Sequence, residues 1–517
     1  MNAPTSAARG HRLWLPITFA ALTGMAITVL RLQPEVERNI KNALTALMVI
    51  LGLLLVLLWF MLLSRFPWRT RLWGLAITVV AGIGLKVSVR VDGTVDGTGR
   101  PKIVWRWSPK RVLPQPLANP SNASITSASG AKDVPQFFGP QRDGVVRGAG
   151  LLPDWKQRPP KELWRQPIGA GWSAFSIVGG RAHTQEQRGN EEAVSCYELL
   201  TGRLLWMHTY PAHFTEWQGG EGPRATPIVH EGRVFAVGAT GILNCLDATI
   251  GKMVWSRDIL KEYKMENIEW GISASPLVFE DTVVVTGGKS GPTLLAFRAA
   301  TGEPLWQSGK DSASYASPIL ATLLGKRVVL SFNATALTAH DPATGVILME
   351  YAWGEGIPAK AAQPVVVGDD RVFLSAGYHA GCIMLKIEAS PDGKLAASKV
   401  WDNLKMKTQF NSVALREGYL YGLDDNKLAC LEVATGERKW KEGRFGSGQS
   451  LLVDDLVIVQ SEPGDVVLAS ANPERYQELG RIAALDSKTW NHPVLAGRYL
   501  LLRNDHEAVC YELPLQK

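Results

Sequence analysis

Leu246-Asp247-Ala248-Thr249-Ile250-Gly251-Lys252-Met253-Val254-Trp255 decides how this chain is read, because the chain repeats it. It returns as Tyr197-Glu198-Leu199-Leu200-Thr201-Gly202-Arg203-Leu204-Leu205-Trp206. Further copies are Phe297-Arg298-Ala299-Ala300-Thr301-Gly302-Glu303-Pro304-Leu305-Trp306 and Leu431-Glu432-Val433-Ala434-Thr435-Gly436-Glu437-Arg438-Lys439-Trp440. A degenerate copy runs from His340-Asp341 through Thr344-Gly345 to Tyr351, and a looser one from Asp392-Gly393-Lys394 to Trp401. The interval is roughly 40 to 50 residues, the period of four-stranded propeller blades.

Outward from this motif, each unit has one order. A polar or small residue, often followed by proline, leads into an apolar strand, as in Thr226-Pro227-Ile228-Val229 and Ser275-Pro276-Leu277-Val278. A second strand follows a glycine turn. A third carries a cysteine or alanine two residues before an acid, and the Thr-Gly turn leads to a fourth strand ending in Trp. Such alternation between glycine turns signals antiparallel strands. The unit starts align at Phe175, Thr226, Ser275, Ser317, Gln363, Asn411, Gln449 and His492, which predicts eight blades. The last unit reaches Leu513-Pro514 after three strands, and Glu162-Leu163-Trp164-Arg165 reads as its missing fourth. Supplying it from the N-terminal side closes the ring and removes free edges. Gln449 to Leu485 is the weakest unit, and merging it with a neighbour would leave seven.

The motif residues have structural work. Glycine suits a turn at positive φ, the acid can accept turn N–H groups, and the tryptophans bury large surfaces between blades. Cys196, Cys245, Cys430 and Cys510 share one repeat position, and no CxxC occurs, so these cysteines read as small core residues.

The 517 residues exceed one ordinary core. Three apolar runs at 13–30, 43–63 and 72–89 are each near the length needed to cross a bilayer, the third if Lys86 snorkels. They assign residues 1–90 to a membrane anchor. The first lacks a small-residue cleavage site, which disfavours a signal peptide. Arg9 and Arg12 precede the first run, and Arg65, Arg69 and Arg71 separate the second from the third. Arg31, Arg38 and Lys41 in the intervening loop are not cancelled by Glu35 and Glu37, which count little, so the bias toward an inside N-terminus is slight. The N-terminus is then inside, and three spans put the chain after residue 90 outside; two would keep it cytoplasmic. Residues 91–134, with Pro114-Gln115-Pro116 and Asn119-Pro120-Ser121-Asn122-Ala123-Ser124, read as a tether, and 135–517 as the propeller. The formal charge of +7 lies largely near the apolar runs and forms no block suited to nucleic acid.

The Ala/Cys-x-Asp-x-x-Thr-Gly-x-x-x-Trp pattern resembles the tryptophan-docking repeat of the quinoprotein (PQQ-dependent) alcohol dehydrogenase superfamily, over about residues 135 to 513. Gln187-Arg188-Gly189, Gly219-Gly220-Glu221-Gly222-Pro223-Arg224, Trp270-Gly271-Ile272 and Phe137-Phe138-Gly139-Pro140-Gln141-Arg142-Asp143-Gly144 look like a membrane-anchored bacterial subgroup of PQQ-like repeat proteins. The resemblance implies an all-β, eight-bladed propeller. It does not imply a quinone, since outer-membrane assembly lipoproteins share the repeat and bind no cofactor.

Blade starts and the loops between second and third strands meet near the channel, so ligand-binding candidates are sought there. They are Glu186, Gln187, Arg188, Trp217, Arg224, Glu269, Trp270, Lys289, Asn333, Gln363, Asn411 and Gln449. A flat ligand could stack on Trp172, Trp217 or Trp270 while Arg188, Arg224 and Lys289 meet carboxylates, which suits an anionic quinone or an acidic sugar. A PQQ dehydrogenase also needs Ca²⁺ and a base, for which Glu186, Glu269, Asn333 and Asp424 or Asp425 are the available oxygens. No catalytic or metal-binding residue is assigned, because no local dehydrogenase motif, adjacent cysteine pair or haem site occurs. Two functions result: a binding or scaffold module of the bacterial envelope, its propeller outside the inner membrane, with an envelope protein or small ligand as partner; alternatively, a quinoprotein oxidising an alcohol or sugar. A hydrolase is disfavoured by the lack of a nucleophile elbow.

Overall fold

The computed structural model describes residues 13–33, 38–95, 100–109, 112–120, 124–126, 129–357, 359–391 and 393–516. Arg9, Arg12, Glu35, Glu37, Asn122, Ala123 and Asp392, all used above, lie outside them. Contacts divide the chain into two compact units, one of residues 1–110 with Trp217–Gly220, the other of 111–216 with 221–517. In the first, Trp14–Leu32, Ile40–Leu63 and Trp68–Ser88 are helices long and apolar enough to cross a membrane. A short hairpin, Val89–Thr94 with Pro101–Trp105, follows the third.

The second unit is an eight-bladed propeller. Blade 1 comprises Ser176–Val178, Arg181–Arg188, Glu191–Glu198 and Leu204–Pro211. Blades 2 to 7 begin with Ile228–His230, Leu277–Phe279, Ile319–Leu323, Val365–Val367, Ala414–Arg416 and Gln449–Val453. Blade 8 joins Val494–Ala496, Tyr499–Arg503 and Glu507–Glu512 to Lys161–Pro167, so the N-terminal strand completes it. The weak unit from Gln449 is a full blade, with Glu478–Ala483 as its outer strand.

Every third strand breaks register at one place, immediately after the cysteine position: at Cys196/Tyr197, Cys245/Leu246, Ala296/Phe297, Cys430/Leu431 and Cys510/Tyr511. The residue before the bulge faces the motif tryptophan across the strands, as Cys245 does Trp255. Each tryptophan then reaches into the following blade. Trp206 Nε1 donates to Ala248 O at 3.1 Å, Trp255 to Ala299 O at 3.0 Å and Trp440 to Asn472 O at 2.8 Å. Its ring lies beneath the next Thr-Gly turn, where Gly251 has φ of 70° and a Cβ would come within 2.3 Å of the Trp206 ring. Glycine is therefore required twice, by φ and by the docked ring.

Asp247 Oδ1 accepts from the turn N–H groups of Thr249 and Ile250 at 2.8 and 3.0 Å, whereas Glu198 and Glu432 take the threonine hydroxyls instead. The shorter acid reaches the backbone and the longer one overshoots it. In blade 3, Arg298 stands at the acid position, and Asp281 accepts from Ala300 N at 2.9 Å in its place.

Two blades lack the tryptophan. Blade 4 has Met349 opposite Ala339, and the blade 5 hairpin it faces is lengthened, with strands Gly381–Ala389 and Leu395–Asn403. In blade 7, Gly480 faces Leu468, and a Cβ there would lie 2.5 Å from the Cβ of buried Trp155. Trp155 thus fills the vacancy from outside the repeat. All five cysteines are free and buried. Burial pushes the Cys245, Cys382 and Cys510 thiols up to about 12, so none offers a ready thiolate.

Candidate functional site

The inner strands are lined by a segment from outside the repeat. Residues 134–146 pair at their two ends with first strands and reach blade starts in between. Val134 bridges Ile177, Pro135 O accepts from Val229 N at 2.8 Å, and Val145–Val146 runs parallel to Leu452–Val453. The rings of Phe137 and Phe138 pack edge-on against His492 at 5.6 and 5.1 Å. Arg142 is buried and donates to Ser275 O at 2.7 Å and Pro276 O at 2.9 Å. Burial pulls its guanidinium down to about 9. Phe138 and Arg142 have φ of 64° and 60°, a strained geometry that these contacts hold in place. The segment binds blades 1, 2, 3, 7 and 8 from the inner side.

Inside, the polar blade starts bind one another. Ala174 N donates to Thr226 Oγ1, Thr226 N to Ser275 Oγ and Ser275 N to Ser317 Oγ, at 3.0, 2.9 and 2.9 Å. Gln363 Nε2 reaches Ser317 O at 3.4 Å, and Gln449 Nε2 reaches Phe410 O and Trp490 O, both at 3.0 Å. Asn411 is buried beside them and its amide has no hydrogen bond among the described residues. The ring is a blade-to-blade relay of capped first strands.

At the seam between blades 8 and 1, Arg503 is fully buried. It donates to Thr184 Oγ1 and Gln185 O at 2.7 and 2.9 Å and to Gly169 O at 2.8 Å. Glu186 lies beside it, accepting from Tyr197 OH at 2.7 Å and Gly169 N at 2.6 Å and pairing with Arg188 at 3.1 Å. Burial pushes the Glu186 carboxyl up, but Arg188 and Arg503 reverse this and hold it below the usual range. Arg188 also donates to Pro114 O, and Gln187 Nε2 to Gly189 O and Ala212 O. These three candidates therefore stitch the ring closure to the preceding segment.

The loops that lead into the first strands carry an aromatic collar, of which the sequence marked only half. Trp172 and Trp490 lie 4.9 Å apart and Trp490 and Phe410 5.0 Å apart, all half-buried. Lys488 Nζ sits over Trp490 at 4.4 Å and Trp172 at 4.8 Å. Burial pulls its ammonium down to about 8, while Asp505, Glu216 and Glu462 favour the charge. Trp490 Nε1 donates to Glu462 at 2.9 Å. Trp270 packs on Tyr315 at 5.4 Å, and Arg224 lies over Phe214 at 4.5 Å and pairs with Glu216 at 3.4 Å. These rings all come from loops joining successive blades. Phe410, Lys488 and Trp490 were missed because no repeat motif marks them; their position just before a blade start was the available signal.

The other candidates scatter. Glu269 and Lys289 are exposed, and Lys289 N bonds to Glu266 O. Trp217 is exposed and falls in the unit with residues 1–110. Asn333 is buried, its amide engaged by Ser331 and Thr338 at 2.5 and 2.8 Å. Asp424 is buried and held by Lys441 at 2.7 Å and Arg438 at 2.9 Å. Among the described residues no three His, Cys, Asp or Glu side chains form a metal-holding group. The oxygens suggested for Ca²⁺ thus do not fit it: two sets are already bonded and the third is on the surface.

Docked tryptophans, bulged third strands and eight closed blades make this a PQQ-like β-propeller repeat protein. Residues 190–442 match a family model described as outer membrane protein assembly factor BamB. The chain is similar to the outer membrane protein assembly factor BamB of Burkholderia pseudomallei, at 29% identity over 34% of this chain and 42% of the relative. It is similar to that of Xanthomonas campestris pv. campestris, at 27% over 48% and 62%. The chain thus spans between 40% and 63% of the length of the curated relatives it matches. Among solved structures, BamB from Moraxella catarrhalis superposes with a TM-score of 0.52 and 15% identity, over 68% of this chain and all of that one. Quinohemoprotein alcohol dehydrogenase from Comamonas testosteroni does so with 0.52 and 12%, over 75% and 82%. At these identities the structures establish the fold alone.

Proposed function

We propose that the protein is a binding scaffold of the bacterial cell envelope, anchored in the inner membrane, whose propeller faces outward and docks a partner protein on the collar of Trp172, Trp270, Phe410 and Trp490. The carrying observation is the collar itself: half-buried Trp172, Phe410 and Trp490, drawn from loops far apart in the chain, group around the cation of Lys488. Half-buried amphipathic rings of this kind are the usual anchors of protein interfaces. Relatives named as outer membrane protein assembly factors support a protein-binding role.

The test places a photo-crosslinking phenylalanine derivative at Trp490, Trp270 or, as a control on a blade turn, Lys252. Discrete adducts with one protein at the first two sites and none at the third are expected. Equal adducts everywhere, or none at the collar, would sink the reading. Stoichiometric PQQ binding with Ca²⁺ and dye reduction by an alcohol would favour the quinoprotein instead.

Orientation is tested separately. A reporter active only outside the cytoplasm, fused after Lys517, is expected to be active. A well-expressed but inactive fusion refutes three spans.

A further inference from the structure

The hairpin after the third apolar helix is unlike anything in the propeller. Trp68–Ser88 passes into strand Val89–Thr94 without an intervening loop, and Arg106 N donates to Ser88 O at 2.8 Å, so the ladder continues to the helix end. Register pairs Val89 with Trp105, Arg90 with Val104 and Val91 with Ile103. Side chains alternate across a strand, so Val91, Ile103 and Trp105 share one face. That face is exposed, with Val91 at 66% and Ile103 at 62%, while Arg90, Asp92, Lys102 and Val104 on the other are half-buried. Trp107 stacks on Trp105 at 5.0 Å and 12° and is itself exposed. Such an apolar face is poorly suited to water.

Position supplies the occupant. A helix of 21 residues rises about 31 Å, close to the thickness of a bilayer core. Trp68 stands at one end of it and Trp105 and Trp107 at the other, the spacing of two interfacial tryptophan belts. Lys86 lies in its last turn, where it can snorkel outward. The described residues of the hairpin and its flank carry Arg90, Arg100, Lys102 and Arg106 against Asp92. The Arg90 and Arg106 guanidiniums bind Arg106 O at 3.3 Å and Val89 O at 3.1 Å, which fixes two cations at the helix–hairpin junction. Basic residues there are attracted to anionic headgroups.

We infer that this hairpin is a lipid-binding element that lays Val91, Ile103 and Trp105 into the headgroup boundary of an anionic membrane. The inference rests on the third helix crossing the bilayer, which the test checks independently. The five native cysteines are buried, so single exposed cysteines can be labelled selectively in the full chain. The variants are Ile103→Cys, Val80→Cys within the third helix, and Val346→Cys on the propeller, each carrying an environment-sensitive fluorophore. All are reconstituted in vesicles of phosphatidylcholine and phosphatidylglycerol, with phosphatidylcholine brominated either high on the acyl chain or near its end. The Ile103→Cys label should be quenched at least threefold more than the Val346→Cys label, and more by the shallow bromines. The Val80→Cys label should respond more to the deep ones. Quenching at Ile103→Cys no greater than at Val346→Cys overturns the inference. If Val80→Cys alone is quenched, the span stands and the hairpin reading falls; if Ile103→Cys alone is quenched, the span falls. Adding Arg90→Gln and Arg106→Gln should reduce the Ile103→Cys quenching about twofold in anionic vesicles and leave it unchanged in purely zwitterionic ones. Equal effects in both would remove the anionic preference.

Discussion

Arg503→Met is expected to destabilise the propeller by about 3–5 kcal/mol, lowering its unfolding midpoint by roughly 5–10 °C. The substitution keeps most of the volume and removes a fully buried donor array. Thr184 Oγ1, Gln185 O and Gly169 O each lose a bond of 2.7–2.9 Å at a buried site, where an unmade bond is costly. Glu186 loses one of its two cationic neighbours while remaining buried. A control sits in the same blade: Arg498 pairs with Glu512 near the surface, and Arg498→Met is expected to cost no more than about 1 kcal/mol. Thermal unfolding of the full chain in detergent, followed by near-ultraviolet circular dichroism, measures both. If the two variants match, the seam is not where closure is held.

Trp206→Ala is expected to cost a similar 3–5 kcal/mol, because its ring is buried and its indole N–H bonds across the blade gap. Gly251→Ala attacks the same contact from the other side, adding a methyl 2.3 Å from the Trp206 ring at a φ of 70°. About 2–3 kcal/mol is expected, from positive-φ strain plus overpacking. Gly393 has φ of 81° and nothing within 4 Å of its would-be Cβ, so Gly393→Ala should show the strain alone, about 1 kcal/mol. The double variant Trp206→Ala/Gly251→Ala should cost less than the sum, since the methyl then enters the space vacated by the indole. Strict additivity would mean that the turn and the ring are not coupled.

These tests separate what the sequence made legible from what it hid. The period, the turn glycine and the tryptophan are local signals, and they fixed eight blades and the N-terminal closing strand. The seventh blade looked weak because its tryptophan is Trp155, more than three hundred positions upstream of Gly480 and outside any repeat. No local pattern can carry such a pairing. The ring of blade starts was located correctly as a ring, yet most of its side chains cap neighbouring strands. Glu186 and Arg188 drew attention as charges in a loop near the channel. Their burial comes from Arg503, Tyr197 and Gly169, which only the closed ring brings to them. In the collar, Trp172 and Trp270 were foreseen, but Trp172 is joined by Trp490 from the far end of the repeat array and Trp270 by Tyr315 from the next blade.

The strand exchange that closes the ring also sets a clock on its synthesis. Arg165 and its partner Glu507 are 342 positions apart, so the strand that begins the propeller stays unpaired until that much more chain has emerged. At about 5–20 residues per second, that wait lasts roughly 17–70 s. Meanwhile Trp164 lacks the blade 8 strands that it packs among. The nascent propeller is an open arc with an unpaired strand edge at each end, a template for pairing with another chain until the last blade arrives.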